Sequence, residues 1–200
     1  MPLGAAKQAL LAAAGVATGD VVLLETYTAG GEGEKVFSNL NNADYKSMIF
    51  EFIDLHGSAD DTDLTFQVRD ADDDYGTINV TTSAVRVYRD QSGSSTGFGY
   101  NTAADSLAAS GKIPITAGTH FGAQYALNGY MILYNPASTT YATNFVSRLS
   151  TALQTGSYPS CEWYFGGYAD ISKALTAIRF DFAVPDANMD TGIIRQWGVK

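Results

Sequence analysis

From residue 20 onward, apolar and polar positions alternate in short stretches, a two-residue period typical of β-strands with one buried face. The clearest example covers residues 45–55. Three of its apolar side chains are predicted to share one face: Met48, Phe50 and Phe52. Glu51 is predicted to lie on the opposite face with Ile49 and Ile53, because successive strand residues point to opposite sides. This stretch therefore predicts a strand packed on the core of an all-β domain.

Clusters of Gly, Asp, Asn and Pro separate the alternating stretches, as expected for tight turns. The polar segment 90–112, rich in Gly, Ser and Ala, is predicted to be a long loop. About nine to eleven short strands with regular turn signals predict a jelly-roll-like β-sandwich over residues 20–200. The predicted strand regions are 21–27, 45–55, 64–68, 78–89, 113–116, 129–134, 141–153, 161–168, 173–184 and 193–199.

The C-terminal stretch carries the strongest local signal. Ile178, Phe180 and Phe182 alternate with polar neighbours and predict one strand. A loop rich in Asp and Asn follows, and Thr191-Gly192 is predicted to open a last short strand. The C-terminus is therefore expected to be tied into a sheet.

Residues 1–19 differ in composition from the rest and are predicted to form a short helical arm. Pro2 is suited to a helix start and Gly15 to its end, with good helix formers between them. The apolar stripe of this helix consists of Leu3, Leu10, Leu11 and Ala14. Because so short a helix is marginal alone in water, it is expected to dock on its own domain or on a neighbouring protein. We expect an anchoring, partner-binding role for four residues: Pro2, Leu3, Leu10 and Leu11.

The charge balance narrows the possible partners. The formal net charge is −9, and the 12 basic residues are scattered along the chain. Nucleic acid is not expected as a partner, because binding phosphates requires clustered Lys and Arg. No apolar run approaches the roughly 20 residues of a membrane span, so no membrane association is expected.

One acidic turn is a candidate calcium site. Asp70, Asp72 and Asp74 place carboxylates at alternate positions, the oxygen ligands that calcium prefers. The turn departs from an EF-hand loop, because Gly76 comes one position late and Thr81 replaces the bidentate Glu. A second acidic turn could add oxygen atoms if it lay nearby: Asp60, Asp61 and Asp63. The alternative is a solvated acidic turn, and no other cofactor is expected.

The residues that could carry catalysis show no recognisable arrangement. His56 and His120 lie outside any nucleophile motif, and Cys161 is expected to be a buried structural thiol. The aromatic cluster near Cys161 has two interpretations. Trp163 and Phe165 would share one strand face and pack in the core, or the cluster could form a platform for sugar rings. We favour core packing and expect no enzymatic activity.

An early strand pair and the C-terminal ending resemble a family of virion proteins from tailed bacteriophages. The early pair covers residues 47–54 and 62–69, in which two alternating strands flank an acidic turn. The ending matches at Ile178, Asn188, Thr191, Gly192, Trp197, Gly198 and Val199. The resemblance implies a jelly-roll module of the particle, as in capsid decorations, fibres and tail adhesins.

From this resemblance we expect a homo-oligomeric capsid decoration (cement) protein at the virion surface, with a trimer preferred by analogy. Its partners would be other virion proteins, either the major capsid protein or tail proteins. Deleting residues 1–18 is expected to abolish incorporation into particles while the domain stays folded. One alternative is a tail-associated receptor- or glycan-binding module, and a second is a glycan-active enzyme with two close carboxylates in a cleft.

Overall fold

The computed structural model describes residues 20–72, 74–122, 124–153 and 159–200. These residues form an all-β fold with thirteen strands in two antiparallel sheets. The predicted β-sandwich is therefore confirmed. The strands of the large sheet are β1 (Val21–Thr28), β3 (Ser47–Gly57), β5 (Val80–Arg89), β6 (Thr96–Tyr100), β7 (Ser106–Ala109), β9 (Leu127–Tyr134), β10 (Thr143–Ala152), β11 (Ser160–Ala169) and β13 (Met189–Val199). The strands of the small sheet are β2 (Glu34–Ser38), β4 (Leu64–Arg69), β8 (Ile113–Pro114) and β12 (Ala177–Phe182).

The large sheet has the strand order β1-β13-β3-β9-β10-β11-β5-β6, and β7 pairs with β5 beside β6. The small sheet has the order β2-β12-β4-β8. One edge of the large sheet therefore consists of β1, and the opposite edge consists of β6 and β7. Strands distant in sequence lie side by side in both sheets, so most of the pairing is non-local.

Aromatic side chains from the two sheets interlock to form the core. The Phe180 ring lies 5.2 Å from the rings of Phe50 and Phe52, measured between centroids. The Phe66 and Phe145 rings, also from opposite sheets, lie 5.0 Å apart. Edge-to-face contacts of this kind add to the apolar burial that holds the sheets together. The inner face predicted for Met48, Phe50 and Phe52 is confirmed, since all three side chains are buried.

The C-terminal ending is built into the large sheet, as predicted, and its strand is longer than expected. β13 pairs with β1 on one side and β3 on the other. Gly192 has φ +109°, and a Cβ there would lie 2.5 Å from the Asp54 carbonyl oxygen at the β-bulge in this pairing. The Tyr45 ring covers Gly198 so closely that a Cβ there would lie 2.5 Å from it. Close packing therefore explains why both of these positions in the ending are occupied by glycine.

The prediction of one long loop over 90–112 is wrong. Two strands, β6 and β7, lie within it and pair with β5. β2 was also absent from the predicted strand regions. All three are short edge strands, and β6 reads Thr-Gly-Phe-Gly-Tyr. They form because a neighbouring strand offers backbone partners, a tertiary effect that local propensity does not contain.

The predicted helical arm, residues 1–19, lies outside the described residues, and so do Pro2, Leu3, Leu10 and Leu11. Within the ranges that are described, no helix is long and apolar enough to cross a membrane.

Candidate binding surfaces

An apolar row crosses the outer face of the large sheet, the face turned away from the core. The register of the strand pairs places five side chains directly opposite one another on β1, β13, β3, β9 and β10. These side chains are Leu23, Trp197, Ile49, Ile132 and Val146. Leu23 is 46% exposed and Val146 is 38% exposed. A contiguous apolar row on an outer face is typical of a surface that another element covers.

Part of this row lines a cavity of about 650 Å³, which we call the outer groove. The apolar residues of the outer face that line it are Val21, Ile49, Ile53, Ile132 and Trp197. Glu51 contributes a carboxylate, which accepts a hydrogen bond from Trp197 Nε1 at 3.3 Å and lies 3.4 Å from Arg195 Nη1. The groove is therefore an apolar surface with one carboxylate in its lining.

A second row, parallel to the first, mixes tyrosines with charged groups. It consists of Arg195, Glu51, Tyr130, Arg148, Tyr164, Val85 and Tyr100. Arg148 lies between Tyr130 and Tyr164, and its guanidinium carbon lies 5.5 Å from the Tyr164 ring centroid. Arg148 Nε donates a hydrogen bond to Glu162 at 3.0 Å. Tyrosine and arginine are enriched at binding hot spots, so this row is a candidate contact surface.

The edge of the large sheet opposite β1 exposes large apolar side chains, and we call it the aromatic edge. Its members are Val87, Phe98, Tyr100 and Leu107. Phe98 pairs with Val87 across β5 and β6, and it is 80% exposed. Leu107 on the neighbouring strand β7 is 87% exposed. An edge strand also presents unpaired backbone groups, so this edge offers both apolar area and hydrogen-bonding sites to another chain.

A polar cleft of about 630 Å³ lies at one end of the large sheet. Side chains able to hydrogen-bond line it, among them Asp54, Arg89, Asp90, Gln124 and Asn128. The hydroxyls of Ser92 and Ser94 donate to Asp90 Oδ2 at 2.8 and 2.7 Å. These contacts, Ser94 first, lower the pKa of Asp90 and keep it ionised. Asp90 is therefore unsuited to act as the general acid that glycoside hydrolysis requires, because that acid needs a raised pKa.

A lysine occupies the acidic turn predicted to bind calcium. Lys173 Nζ lies 3.4 Å from Asp70 Oδ2 and 3.1 Å from Asp72 Oδ2. The hydrogen bonds to these carboxylates, Asp72 first, raise the pKa of Lys173. Asp74 is exposed, and across the described ranges no group of three or more His, Cys, Asp or Glu could hold a metal. The calcium site stays a prediction, and an ion there would have to displace the ammonium group.

The second acidic turn contacts a different loop. Asp60 Oδ1 accepts a hydrogen bond from the Phe121 N–H at 2.8 Å, and Asp63 Oδ1 accepts one from the Gly118 N–H at 2.7 Å. Its carboxylates therefore cap the loop at residues 118–121.

The two histidines considered for catalysis contact different carboxylates, and the cysteine lies in the core. His56 Nδ1 lies 3.5 Å from Asp190, while His120 Nδ1 lies 3.1 Å from Asp60. Cys161 is buried, as expected, and burial raises the pKa of its thiol to about 12. A thiol with so high a pKa is a poor nucleophile at neutral pH.

The aromatic cluster divides as the core-packing interpretation predicted. Trp163 and Phe165 are buried with their rings 5.7 Å apart, and Tyr164 and Tyr168 are exposed on the outer face. The prediction of core packing is confirmed for the first pair. The exposed pair belongs to the outer surface.

No family model, no curated protein and no solved structure matches this chain.

Proposed function

We propose that this chain is a structural subunit of a tailed-phage particle, a jelly-roll module that acts as a capsid decoration protein. In this proposal it works by binding, not by catalysis. The observation that carries the proposal is the aromatic edge, where Phe98 and Leu107 are almost fully exposed on adjacent edge strands. The resemblance of the C-terminal ending to virion proteins supplies the setting.

Contact energetics support a binding role for this edge. Burying one large apolar side chain contributes about 1.5–3 kcal/mol relative to leaving it in water. Phe98, Leu107 and Tyr100 together could therefore provide the central contacts of an interface. A long exposed apolar edge is also a hazard for aggregation, and a regular partner would remove it.

The test is incorporation of edge variants into particles. Particles are assembled with wild-type, Phe98→Glu or Tyr141→Glu chain, purified, and their content of this chain is measured by mass spectrometry. Phe98→Glu is expected to lower incorporation by about tenfold or more, corresponding to the loss of at least 1.4 kcal/mol of contact energy. Tyr141 is the matched control, because it is 73% exposed and lies before β10, outside the aromatic edge.

Two outcomes would contradict the proposal. Absence of the wild-type chain from purified particles would remove the virion setting. Equal incorporation of the two variants would remove the aromatic edge as the contact surface. Cross-linking to the major capsid protein, as opposed to tail proteins, would identify the location as the capsid.

The proposal has two further parts: the chain forms a homo-oligomer, and its N-terminal segment anchors it to the particle. A homo-oligomer, with a trimer preferred by analogy, can be measured by analytical ultracentrifugation of the wild-type chain. The anchoring role of Pro2, Leu3, Leu10 and Leu11 predicts that removing residues 1–18 abolishes incorporation. That prediction concerns residues outside the described ranges.

A tail-associated glycan-binding module is the second candidate function. It is favoured by the polar cleft, whose amides, carboxylates and guanidinium could bind sugar hydroxyls, and by the exposed tyrosines on the same sheet. Titration with host envelope polysaccharide, followed by calorimetry, tests it. Binding that Asn128→Ala weakens and Phe98→Glu leaves unchanged would favour the glycan function, whereas no measurable binding would count against it.

A further inference from the structure

The outer groove lies where the described part of the chain begins. Val21, the first residue of β1, is one of its lining residues. The adjoining backbone is fixed, because the Lys200 N–H donates to the Asp20 carbonyl oxygen at 2.9 Å. The point at which the preceding nineteen residues join the described part of the chain therefore lies beside an apolar cavity of about 650 Å³.

From this juxtaposition we infer that residues 2–17 lie across the outer groove of their own domain in the free subunit. The Leu3, Leu10 and Leu11 side chains face the apolar row, and Trp197 lies beneath the segment. The occupant of the groove is thus the N-terminal segment of the same chain. Of the two docking sites expected for this segment, its own domain or a neighbouring protein, the inference selects its own domain in the free subunit.

The dimensions of the groove and the segment match. A helix of sixteen residues is about 24 Å long at 1.5 Å per residue. The apolar row spans four strand spacings from β1 to β10, or about 19 Å at about 4.8 Å per spacing. The segment is therefore long enough to cover the whole row. Gly19, directly before Asp20 in the sequence, has no Cβ, so a reversal of the chain direction is sterically allowed at that position.

The side chains also match in character and charge. Residues 2–17 are mostly Ala and Leu, and small Ala side chains allow a helix to approach a sheet closely. Lys7 is the only ionisable side chain in the segment. Glu51 is the carboxylate of the groove lining, and it lies beside the apolar row. Lys7 therefore has a carboxylate to approach in the groove lining, in addition to that carboxylate's contacts with Arg195 and Trp197, and most of the remaining lining is apolar.

The covalent connection favours the same chain over a second copy. A short linker holds the segment at an effective concentration in the millimolar range, well above ordinary protein concentrations. Docking within one chain also avoids the translational and rotational entropy cost of association. The groove of a free subunit is then filled before another copy can reach it.

Acrylamide quenching of Trp197 fluorescence in the full-length chain tests the inference. Trp163 is fully buried and changes little, so Trp197 dominates the response. The variant Leu10→Asp/Leu11→Asp places two charges on the proposed docking face. It is expected to raise the quenching constant by about twofold or more, because the Trp197 indole then becomes accessible to the quencher. The matched control Ala9→Asp/Ala12→Asp adds the same charges to the opposite helix face and is expected to leave quenching unchanged.

Equal quenching in the wild type and both variants would overturn the inference, as would equal increases in the two variants. The measurement is repeated across a wide range of protein concentration. A quenching constant independent of concentration supports docking within one chain, whereas a fall with rising concentration would overturn it in favour of a second copy. Circular dichroism of each variant confirms that the β-domain is folded, so loss of docking is distinguished from loss of fold.

Discussion

The outer faces of the two sheets differ in how many of their side chains have contact partners within the domain. The outer face of the small sheet is polar, and its charged groups contact partners within the domain. The outer face of the large sheet carries the apolar row, which has no covering element in the described ranges. Strand alternation produces both outer faces, but the residues on one are mainly polar or charged and those of the row on the other are apolar.

Two polar clusters stabilise the small sheet from outside. Asp181 is buried, accepts a hydrogen bond from the Thr65 hydroxyl, and lies 2.8 Å from Lys112 Nζ. On the same face, Arg179 donates hydrogen bonds to Glu34 and Gln67. The Tyr75 ring covers the Arg179 guanidinium at 4.5 Å. These contacts are intramolecular, so this face has little left to offer a partner.

The comparison indicates where the chain has retained binding capacity. Polar groups on the outer face of the small sheet form hydrogen bonds and ion pairs within the domain. Apolar groups on the outer face of the large sheet remain partly exposed and available for another segment or partner to bury. We therefore expect substitutions on the small sheet to alter stability and substitutions on the outer face of the large sheet to alter binding. Three of the four predictions test this division, and one concerns Asp63 in the turn before β4; the largest effect comes first.

Asp181→Ala is expected to destabilise the domain by about 2 kcal/mol, because it removes the buried carboxylate that accepts a hydrogen bond from the Thr65 hydroxyl and pairs with the Lys112 ammonium. Both donors keep a backbone acceptor, the carbonyl oxygens of Asp181 and Phe182, which limits the loss. Urea unfolding measures the change in the free energy of unfolding. Asp170→Ala is the control, since Asp170 is exposed. A loss no larger than in the control would show that the polar cluster does not stabilise the small sheet.

Arg179→Met is expected to cost about 1–2 kcal/mol. It removes the hydrogen bonds to Glu34 and Gln67 and the cation–π contact with Tyr75, but it keeps much of the apolar stem. Thermal unfolding measures the change. Arg148→Met on the large sheet is the matched control, because Arg148 is exposed and makes the same kinds of contact, a hydrogen bond to Glu162 and a cation–π contact with Tyr164, at the surface. Equal costs at the two sites would contradict the difference between the faces.

Asp63→Asn is expected to stabilise the domain by a few tenths of a kcal/mol at neutral pH. Burial, with a smaller contribution from Asp61, raises the pKa of Asp63, and the Gly118 N–H partly opposes this. The folded state therefore binds the proton more tightly than the unfolded state. The contribution of Asp63 to stability is present below the unfolded-state pKa of about 3.9 and is lost as pH rises through the raised pKa. Asparagine still accepts from Gly118 and removes that loss, which unfolding curves across this pH window will measure.

Val146→Thr on the apolar row is expected to change the free energy of unfolding by less than about 0.5 kcal/mol, because the side chain is 38% exposed and outside the core. The isosteric control Val80→Thr is buried and should cost several times more. Chemical denaturation compares the two variants. If the outer substitution were as costly as the inner one, the apolar row would belong to the stability of the domain and not to its binding surface.

Local pattern predicted the layers of this fold but not their arrangement. The alternation at Met48, Phe50 and Phe52 predicted their buried face, because alternate residues of a strand point to the same side of the sheet and the apolar side faces the core. The order β1-β13-β3 could not be predicted, because pairing of residue 21 with residue 199 is a non-local choice. β6 escaped prediction for the same reason, since its strand character comes from β5.

The candidate surfaces were less predictable than the core. Ile49 and Ile53 were assigned to the face of Glu51, and this was the one signal of an apolar outer face. The row becomes visible only when register aligns Ile49 with Trp197 and Ile132. In the acidic turn, the sequence pattern predicted a site that the structure explains differently. Asp70 and Asp72 have the spacing of metal ligands, but Lys173, about a hundred residues later in the sequence, lies beside them as the cation.

The pairing of β1 with β13 has a consequence for how the domain is made. The first strand of the sheet must remain unpaired until the last strand has been synthesised, because β13 lies between β1 and the rest of the sheet. Such a high contact order slows folding and prolongs the exposure of strand edges. During synthesis the growing chain therefore keeps its β3 edge open until β13 has been made, and a chain truncated before Met189 would lose two strands from the large sheet instead of one.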